Sequence, residues 1–260
     1  GDLRYGEFAA SPWTFSTLTN SSNAGQYSSL AIDSNDNLHV TYYDYTNGNL
    51  EYVAYDGSYW NSPATLDSTG NVGQDSSLAI DSSDNLHVTY YDVTNGNLEY
   101  MNYDRASNGW STPLTLDSTD NVGYESSLAI DSNDNLHVTY YDWSNGNLEY
   151  MNYDGASNGW STPLTLDSTY SVGHDSSLAI DSNDNLHVTY YDWSNGNLEY
   201  MNYNGGASNG WSTPLTLDST DNVGYHTSLA IDSSDHLHVT YLDATNGNLE
   251  YMNYDGASNG

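Results

Sequence analysis

Seven side chains in this sequence combine aromatic rings with carboxylates in a pattern suited to sugars. Tyr45, Trp143 and Trp193 each occupy the second position of a recurring D-x-[TS]-N-G-N turn, and Tyr124, Tyr225, Glu125 and Asp175 fall in a second recurring segment. An exposed ring can stack on the apolar face of a pyranose while carboxylates and amides take its hydroxyls, and loops on a rigid scaffold commonly carry such sites. The competing reading is that each ring covers a neighbour, or that copies drift where nothing constrains them. A second set, Asp131, Asn133 and Asn135 in the stretch DSNDN, alternates oxygen side chains like the first half of a calcium loop. The glycine and distal glutamate of an EF-hand are absent, and Asx side chains also bond their own backbone in tight turns, which is the preferred reading. Calcium is the one cofactor these residues suggest.

The elements that position these residues repeat. The stretch LAIDSNDNLHVTYYD occurs, nearly unchanged, five times, and its histidines, His39, His87, His137, His187 and His238, are spaced by 48, 50, 50 and 51 residues. A period near fifty residues marks a repeat architecture. In the third copy the hydrophobic peaks are Leu128 to Ile130, Leu136 to Tyr141, Leu148 to Tyr153 and Trp160 to Leu166. They are short, rich in Val, Thr, Tyr and Leu, and bounded by Asp, Asn, Ser or Gly, the composition of strands joined by turns. No helical period runs through them. Four strands per period predict an all-β, five-bladed β-propeller spanning residues 1–260, with blades near 28–66, 76–116, 126–166, 176–217 and 227–254.

On the second strand, Leu136, Val138 and Tyr140 alternate with His137, Thr139 and Tyr141. Neither side is polar enough for solvent, so both are expected to pack against adjacent blades, with the histidine as a structural hydrogen-bonding residue between blades. The copies differ at the turn position occupied by Tyr45, Val93, Trp143, Trp193 and Ala244. They differ again in the loop entering the first strand, at Gln26 and Tyr27, Gln74 and Asp75, Tyr124 and Glu125, His174 and Asp175, Tyr225 and His226. Alternating strand direction places both variable sets on one face.

The opening stretch GDLRYGEFAASPWTFSTL is a degenerate third and fourth strand, with Tyr5 matching Tyr150 and Trp13 matching Trp160. Residues 13–18 are therefore expected to supply the fourth strand of the last blade and close the ring, removing its edges. The third-strand place is then claimed twice, and a spare strand could link neighbouring molecules.

Composition excludes whole classes of partner. Lys+Arg number 2 against 35 Asp+Glu, a formal net charge of -33, so no surface can track phosphates and neither nucleic acid nor an anionic membrane is a partner. Self-repulsion of this size calls for high salt or divalent cations. With no cysteine there are no disulfides or thiolate metal sites. The absence of an initial methionine reads as a mature or excised form, and an extracellular or cell-surface location is expected.

Between the third and fourth strands lies YDGASNGW, Tyr153 to Trp160. It resembles a degenerate Asp-box, and the repeats are similar to the BNR-type repeats of sialidase-like propellers in secreted bacterial and archaeal proteins. That resemblance implies the propeller fold. A sialidase of that kind would need an arginine cluster, and Arg4 and Arg105 are this chain's only arginines, at non-equivalent positions. Blades three and four are nearly identical from Ser126 to Thr169 and from Ser176 to Thr220, whereas catalysis needs an asymmetric site. The sequence thus points to a non-enzymatic, lectin-like binding or adhesion module for a glycan or surface polysaccharide. A self-assembling subunit of a filament or surface layer is the alternative, and a glycoside hydrolase with paired carboxylates the third reading.

Overall fold

The computed structural model describes residues 4–7, 14–204 and 210–256, with backbone alone at 4–7 and Thr14. Trp13 lies outside the described residues. Each repeat forms one antiparallel sheet. The third comprises Val122–Ile130, Leu136–Asp142, Asn147–Asp154 and a fourth strand in two pieces, Gly159–Trp160 and Leu164–Asp167. The fourth comprises Val172–Ile180, Leu186–Asp192, Asn197–Tyr203 and Leu215–Asp218. The first two sheets, from Ala24–Ile32 to Ala64–Asp67 and from Val72–Ile80 to Leu114–Asp117, share this order. The fifth has three strands, Val223–Ile231, Leu237–Asp243 and Asn248–Tyr254.

One expectation changes here. Thr14–Thr17 pairs with Arg4–Glu7 in a hairpin of its own, so both strands recognised at the N-terminus are real but they meet each other. The described pairings do not include the strand exchange that would close a ring.

The chain divides after Tyr124 into two compact units. Within each, consecutive sheets lie face to face, as neighbouring propeller blades do. Leu148 of the third sheet packs with Leu178, Leu186 and Val188 of the fourth, and Leu198 of the fourth with Leu229, Leu237 and Val239 of the fifth. In the first unit, Leu50 meets Leu78, Leu86 and Val88 in the same way. As expected, both sides of the second strand are occupied: Val138, Thr139 and Tyr140 are fully buried.

The repeating histidine works inside its blade, not between blades as expected. In the third sheet a carboxylate oxygen can only accept, so His137 Nε2–H donates to Asp131 Oδ2 at 3.4 Å. Nδ1 then accepts from Tyr150 OH at 2.7 Å. Burial pushes His137 and His187 below the ordinary imidazole range, although Asp131 and Asp181 pull the other way. These are neutral rings holding the first turn to the third strand.

The hydrogen bonds between blades belong to other residues. Tyr190 of the fourth sheet donates to Asp167 Oδ2 of the third at 2.7 Å, Tyr241 of the fifth to Asp218 of the fourth at 2.7 Å, and Tyr90 of the second to Asp67 of the first at 2.7 Å. Beside them, Leu178 N–H donates to Ser127 Oγ and Leu229 N–H to Ser177 Oγ, both at 3.0 Å. The repeat thus builds a polar seam beside its apolar one.

The aspartates that make the chain so acidic are largely turn-forming. Asp131 Oδ1 accepts the N–H groups of Asn133 at 2.9 Å and Asn135 at 2.8 Å, and Oδ2 accepts Asn135 Nδ2 at 2.8 Å. Burial opposes ionisation of Asp131, but these donors outweigh it and hold the carboxyl below its usual range. The trio read as half a calcium loop is thus engaged in an Asx turn, and among the described residues no three His, Cys, Asp or Glu side chains gather as a metal site. Asp142 caps the next turn likewise, accepting from Ser144 and Asn145 N–H at 2.9 and 3.1 Å. In the Asp-box-like turn, Asp154 accepts Ala156 N–H at 2.8 Å while Tyr153 and Trp160 pair across the strands with ring centroids 5.8 Å apart.

Candidate functional site

The two variable sets do share one face. Val172 N–H donates to Gly146 O at 3.1 Å and Trp193 N–H to Ser171 O at 3.0 Å, which ties the loop between the third and fourth sheets to the D-x-S-N-G-N turns beside it. The second variable set is not loop, however. His174 and Asp175 lie within the nine-residue strand Val172–Ile180, where two register shifts interrupt pairing. Asp175 and Glu125 both adopt a left-handed φ of 51° at these bulges. Bulges re-aim side chains, which explains why a strand carries the variable residues.

One copy of this face differs in kind. In the sister copies the inter-sheet turn reads Asp-Asn or Gly-Asn, and the Asn accepts a hydroxyl from the second strand: Tyr91 to Asn121 and Tyr191 to Asn222, both at 2.6 Å. In the two Asp-Asn copies a tyrosine on the next first strand lies against that ring, Tyr124 on Tyr91 at 4.0 Å and Tyr225 on Tyr191 at 3.9 Å, and in the Gly-Asn copy the place is taken by Gln74. Between the third and fourth sheets all three residues change. Tyr170 and Ser171 replace Asp-Asn, and His174 replaces the stacking tyrosine. Ser171 reaches Tyr141 OH only at 3.5 Å, and His174 stacks on Tyr141 at 3.8 Å with a smaller ring.

Shorter side chains leave space. A cleft of about 410 Å³ opens there, lined by Tyr141, Trp143, Tyr170, Ser171, His174 and Trp193. Both indoles are largely exposed, Trp143 at 59% and Trp193 at 56%, and they stand on either side of His174 at centroid distances of 6.5 and 5.6 Å. His174 Nδ1 lies 3.4 Å from Glu125 Oε2, and that carboxylate also accepts Asp175 N–H at 2.7 Å. Tyr141 is buried, and burial, reinforced by the Glu125 carboxylate, raises its hydroxyl above the usual phenol range.

The cleft carries backbone strain. Tyr170 has φ 79° and Ser171 φ 51°, and Tyr170 is 76% exposed, so nothing it buries offsets the left-handed conformation. Its counterparts at that position are Gly70, Asp120 and Asp221, residue types that tolerate it better. Gly146 is required opposite: at φ 70°, a Cβ there would stand 2.7 Å from Ser171 N. Strain of this kind costs on the order of 1–3 kcal/mol and gathers at functional sites. Tyr170→Gly should therefore raise the unfolding free energy by about 1 kcal/mol in a denaturant titration. An unchanged or lower midpoint would mean that the tyrosine is at ease there.

Of the residues singled out in the sequence, Trp143, Trp193 and Glu125 come together around His174, and Tyr225 flanks them, 5.7 Å from Trp193. Asp175 faces the neighbouring bulge, accepting His226 N–H at 2.9 Å. Tyr45 and Tyr124 belong to the first unit. Tyr45 sits edge-on to Tyr43, and Tyr124 OH meets Tyr91 OH at 2.8 Å. Tyr141, Tyr170, Ser171 and His174 were missed as site residues. The signal was in the sequence, as the one inter-sheet turn that reads Tyr-Ser where its sisters read Asp-Asn or Gly-Asn.

No protein-family model matches the sequence, and no curated protein matches it. Solved structures do share its fold. An ulvan lyase of polysaccharide lyase family PL25 superposes with a TM-score of 0.59 at 14% identity, over 87% of this chain and 68% of the lyase. The NanB sialidase of Streptococcus pneumoniae gives 0.56 at 15% identity, over 80% of this chain and 36% of the sialidase. An Aleuria aurantia lectin in complex with a fucosyl-GlcNAc disaccharide gives 0.56 at 15% identity, over 92% of this chain and 77% of the lectin. The fold is thus an all-β, sialidase-like propeller type. These comparisons correct the expectation of a non-enzymatic protein: a lyase and a sialidase are built on this fold, so the repetition of blades does not set enzymes aside. The near-identity argument also fails locally, because Tyr170, Ser171 and His174 differ from their counterparts in the other described inter-sheet turns.

Proposed function

We propose that this chain binds a neutral glycan in the cleft between Trp143 and Trp193. The observation that carries the reading is the pair of exposed indoles flanking His174 beside a strained turn. Two rings for stacking and a polar lining of His174, Ser171, Ser144 and Asn145 match what a pyranose offers, apolar on one side and hydroxylated at its rim. Net charge narrows the ligand. At -33, the chain repels uronate, sialate and sulfate groups, so a neutral polysaccharide outside the cell or at its surface is the substrate class assigned. The disaccharide bound by the lectin, and the -[GlcA(1-4)Rha3S]- oligosaccharide bound in a second structure of the ulvan lyase, support a carbohydrate partner at that coarse level.

Trp143→Ala combined with Trp193→Ala should weaken retention on a neutral polysaccharide in affinity electrophoresis at least tenfold, about 1.4 kcal/mol, with the melting temperature little changed because both rings are exposed. A gentler variant pair, Ser171→Asn with His174→Tyr, rebuilds the sister arrangement and should abolish retention while leaving the fold intact. Retention equal to wild type in both would remove the cleft from consideration.

One observation favours a catalytic reading of the same cleft. The His174–Glu125 pair beside the buried Tyr141 hydroxyl places a base, its orienting carboxylate and a proton donor within one cluster. If bound glycans are cleaved, His174→Ala should lose turnover and keep binding, as read by product release against retention.

A further inference from the structure

An asparagine followed by glycine can attack itself, because no side chain on the glycine keeps its nitrogen from the asparagine Cγ. Seven such pairs lie among the described residues, beginning at Asn47, Asn95, Asn108, Asn145, Asn158, Asn195 and Asn246. The repeat places them in two kinds of turn, and the two kinds hold the reacting atoms in opposite ways.

Five pairs belong to the D-x-[TS]-N-G-N turn and are locked there. In each, the glycine N–H donates to the carbonyl of the turn aspartate at 2.7–2.8 Å. The asparagine Nδ2 donates to Oδ2 of that aspartate, again at 2.7–2.8 Å. The nucleophile thus keeps its proton, and the carboxylate beside the amide opposes the negative charge that attack would create. Space is short as well. A Cβ on Gly96 would meet Asn121 Oδ1 at 3.0 Å, and one on Gly146 would meet Ser171 N at 2.7 Å.

Asn108 and Asn158, in the Asp-box-like turns, have the reverse arrangement. Both are exposed, with left-handed φ of 56° and 53°. Tyr103 OH donates to Asn108 Oδ1, and Tyr153 OH donates to Asn158 Oδ1 at 2.5 Å. That oxygen is the one that becomes negative when Cγ is attacked, so each phenol stands where an oxyanion needs a donor. Among the described residues no carboxylate accepts from either Nδ2. A Cβ on Gly109 or Gly159 would meet nothing nearer than 4.0 Å, which leaves the peptide room to turn toward the side chain.

We propose that the turns at 104–109 and 154–159 are self-modifying sites, in which Asn108 and Asn158 convert to aspartate and isoaspartate while the five locked asparagines persist. The glycine nitrogen gives its proton to solvent and bonds to Cγ, with the tyrosine hydroxyl stabilising the charge on Oδ1. The Cγ–Nδ2 bond then breaks, ammonia leaves, and a five-membered imide has closed. Water opens this ring at either carbonyl, giving an aspartyl peptide or an isoaspartyl one whose backbone runs through Cγ. Amide and water have become carboxylate and ammonium, with nothing oxidised or reduced. Each event adds a negative charge, and the isoaspartyl product lengthens the turn that joins Tyr153 to Trp160.

The test holds the full chain at pH 8, samples it over weeks and maps it as peptides cut in acid, using electron-transfer fragmentation to separate aspartate from isoaspartate. Asn108 and Asn158 should convert at least about tenfold faster than Asn95 and Asn145. Gly159→Ala, whose Cβ has space in the folded turn, should slow Asn158 at least about tenfold and leave Asn108 as the internal control. Tyr153→Phe should slow Asn158 at least about threefold, again with Asn108 unchanged. Conversion of the locked pairs as fast as Asn108 and Asn158, or no conversion at these two, overturns the proposal. A rate at Asn158 that holds or rises in Tyr153→Phe makes the hydroxyl a restraint on the turn and overturns its activating role.

Discussion

Raising the pH from 9 toward 11 should unfold this protein cooperatively, with phenolate absorbance and loss of the β circular dichroism signal rising together. Ten described tyrosines, Tyr42, Tyr52, Tyr90, Tyr91, Tyr141, Tyr150, Tyr190, Tyr191, Tyr200 and Tyr241, have hydroxyls raised above the ordinary value of 10.0, each chiefly by burial. Tyr42 is pushed up to about 12. Others have a further cause. Tyr90 and Tyr190 donate to the carboxylates of Asp67 and Asp167, so ionisation would set a phenolate against a carboxylate with no proton between them.

The sign follows from linkage. A group whose folded-state value is raised keeps a proton that the unfolded chain releases, so its stabilisation is complete below pH 10 and is lost as pH rises through the folded value. Eight of the ten side chains are buried in the folded state. For a buried phenol that stays protonated, the loss reaches about 1.4 kcal/mol by pH 11. Even half of that sum over eight residues is comparable with the whole stability of a domain, about 5–15 kcal/mol. Gradual ionisation near pH 10 with the sheets intact would contradict the burial described. At the acid end, His39, His137 and His187 have depressed folded values, so their stabilisation is present above pH 6.5 and lost as pH falls, a weaker effect from fewer groups.

How far the sequence could be read follows from how repetition works. A five-fold pattern averages away noise, so the four strands of the first four sheets, the alternation at Leu136 to Tyr141 and the common face of the variable positions were all legible. What repetition hides is the exception. Hydrogen-bond partners were misassigned because His137 and Tyr140 both sit mid-strand, and only the geometry shows that the histidine turns back to Asp131 while tyrosines of this row reach the neighbouring blade. Strand ends were misplaced for a related reason: Gly173 and the bulge at Asp175 look like loop in sequence, yet they let one strand run for nine residues with two slips in register. The cleft followed from three small departures, Tyr170, Ser171 and His174, whose joint effect is a space and is invisible one residue at a time. The ends of the array were the hardest, since strand identity was readable at Arg4–Glu7 and Thr14–Thr17 but the choice of partner was not.

Asp167→Ala should be among the most destabilising single substitutions, at about 3 kcal/mol in a denaturant titration. The side chain is small and its position looks like an ordinary turn, but it is buried and joins two functions. Oδ1 accepts the N–H and Oγ1–H of Thr169 at 3.0 and 2.9 Å, which fixes the start of the strained loop. Oδ2 accepts the buried Tyr190 hydroxyl across the seam. Alanine leaves that hydroxyl in a dry seam without its acceptor, and an orphaned buried donor costs more than the bond itself contributes. Tyr190→Phe on its own should cost about 1 kcal/mol, and adding it to Asp167→Ala should make matters no worse or restore about 1 kcal/mol, because the orphan is removed. Strict additivity of the two losses would show that the bond across the seam carries no coupling. The substitution also connects stability to the cleft. Tyr170 and Ser171, both left-handed, lie three and four residues beyond Asp167 in a loop anchored by Asp167 at one end and by the Trp193 N–H bond to Ser171 O at the other. Loss of one anchor lets the strained pair relax. Glycan retention should therefore fall in Asp167→Ala even at a temperature where the protein remains folded, whereas the equivalent change at Asp218, beneath a different turn, should lower stability and leave retention intact.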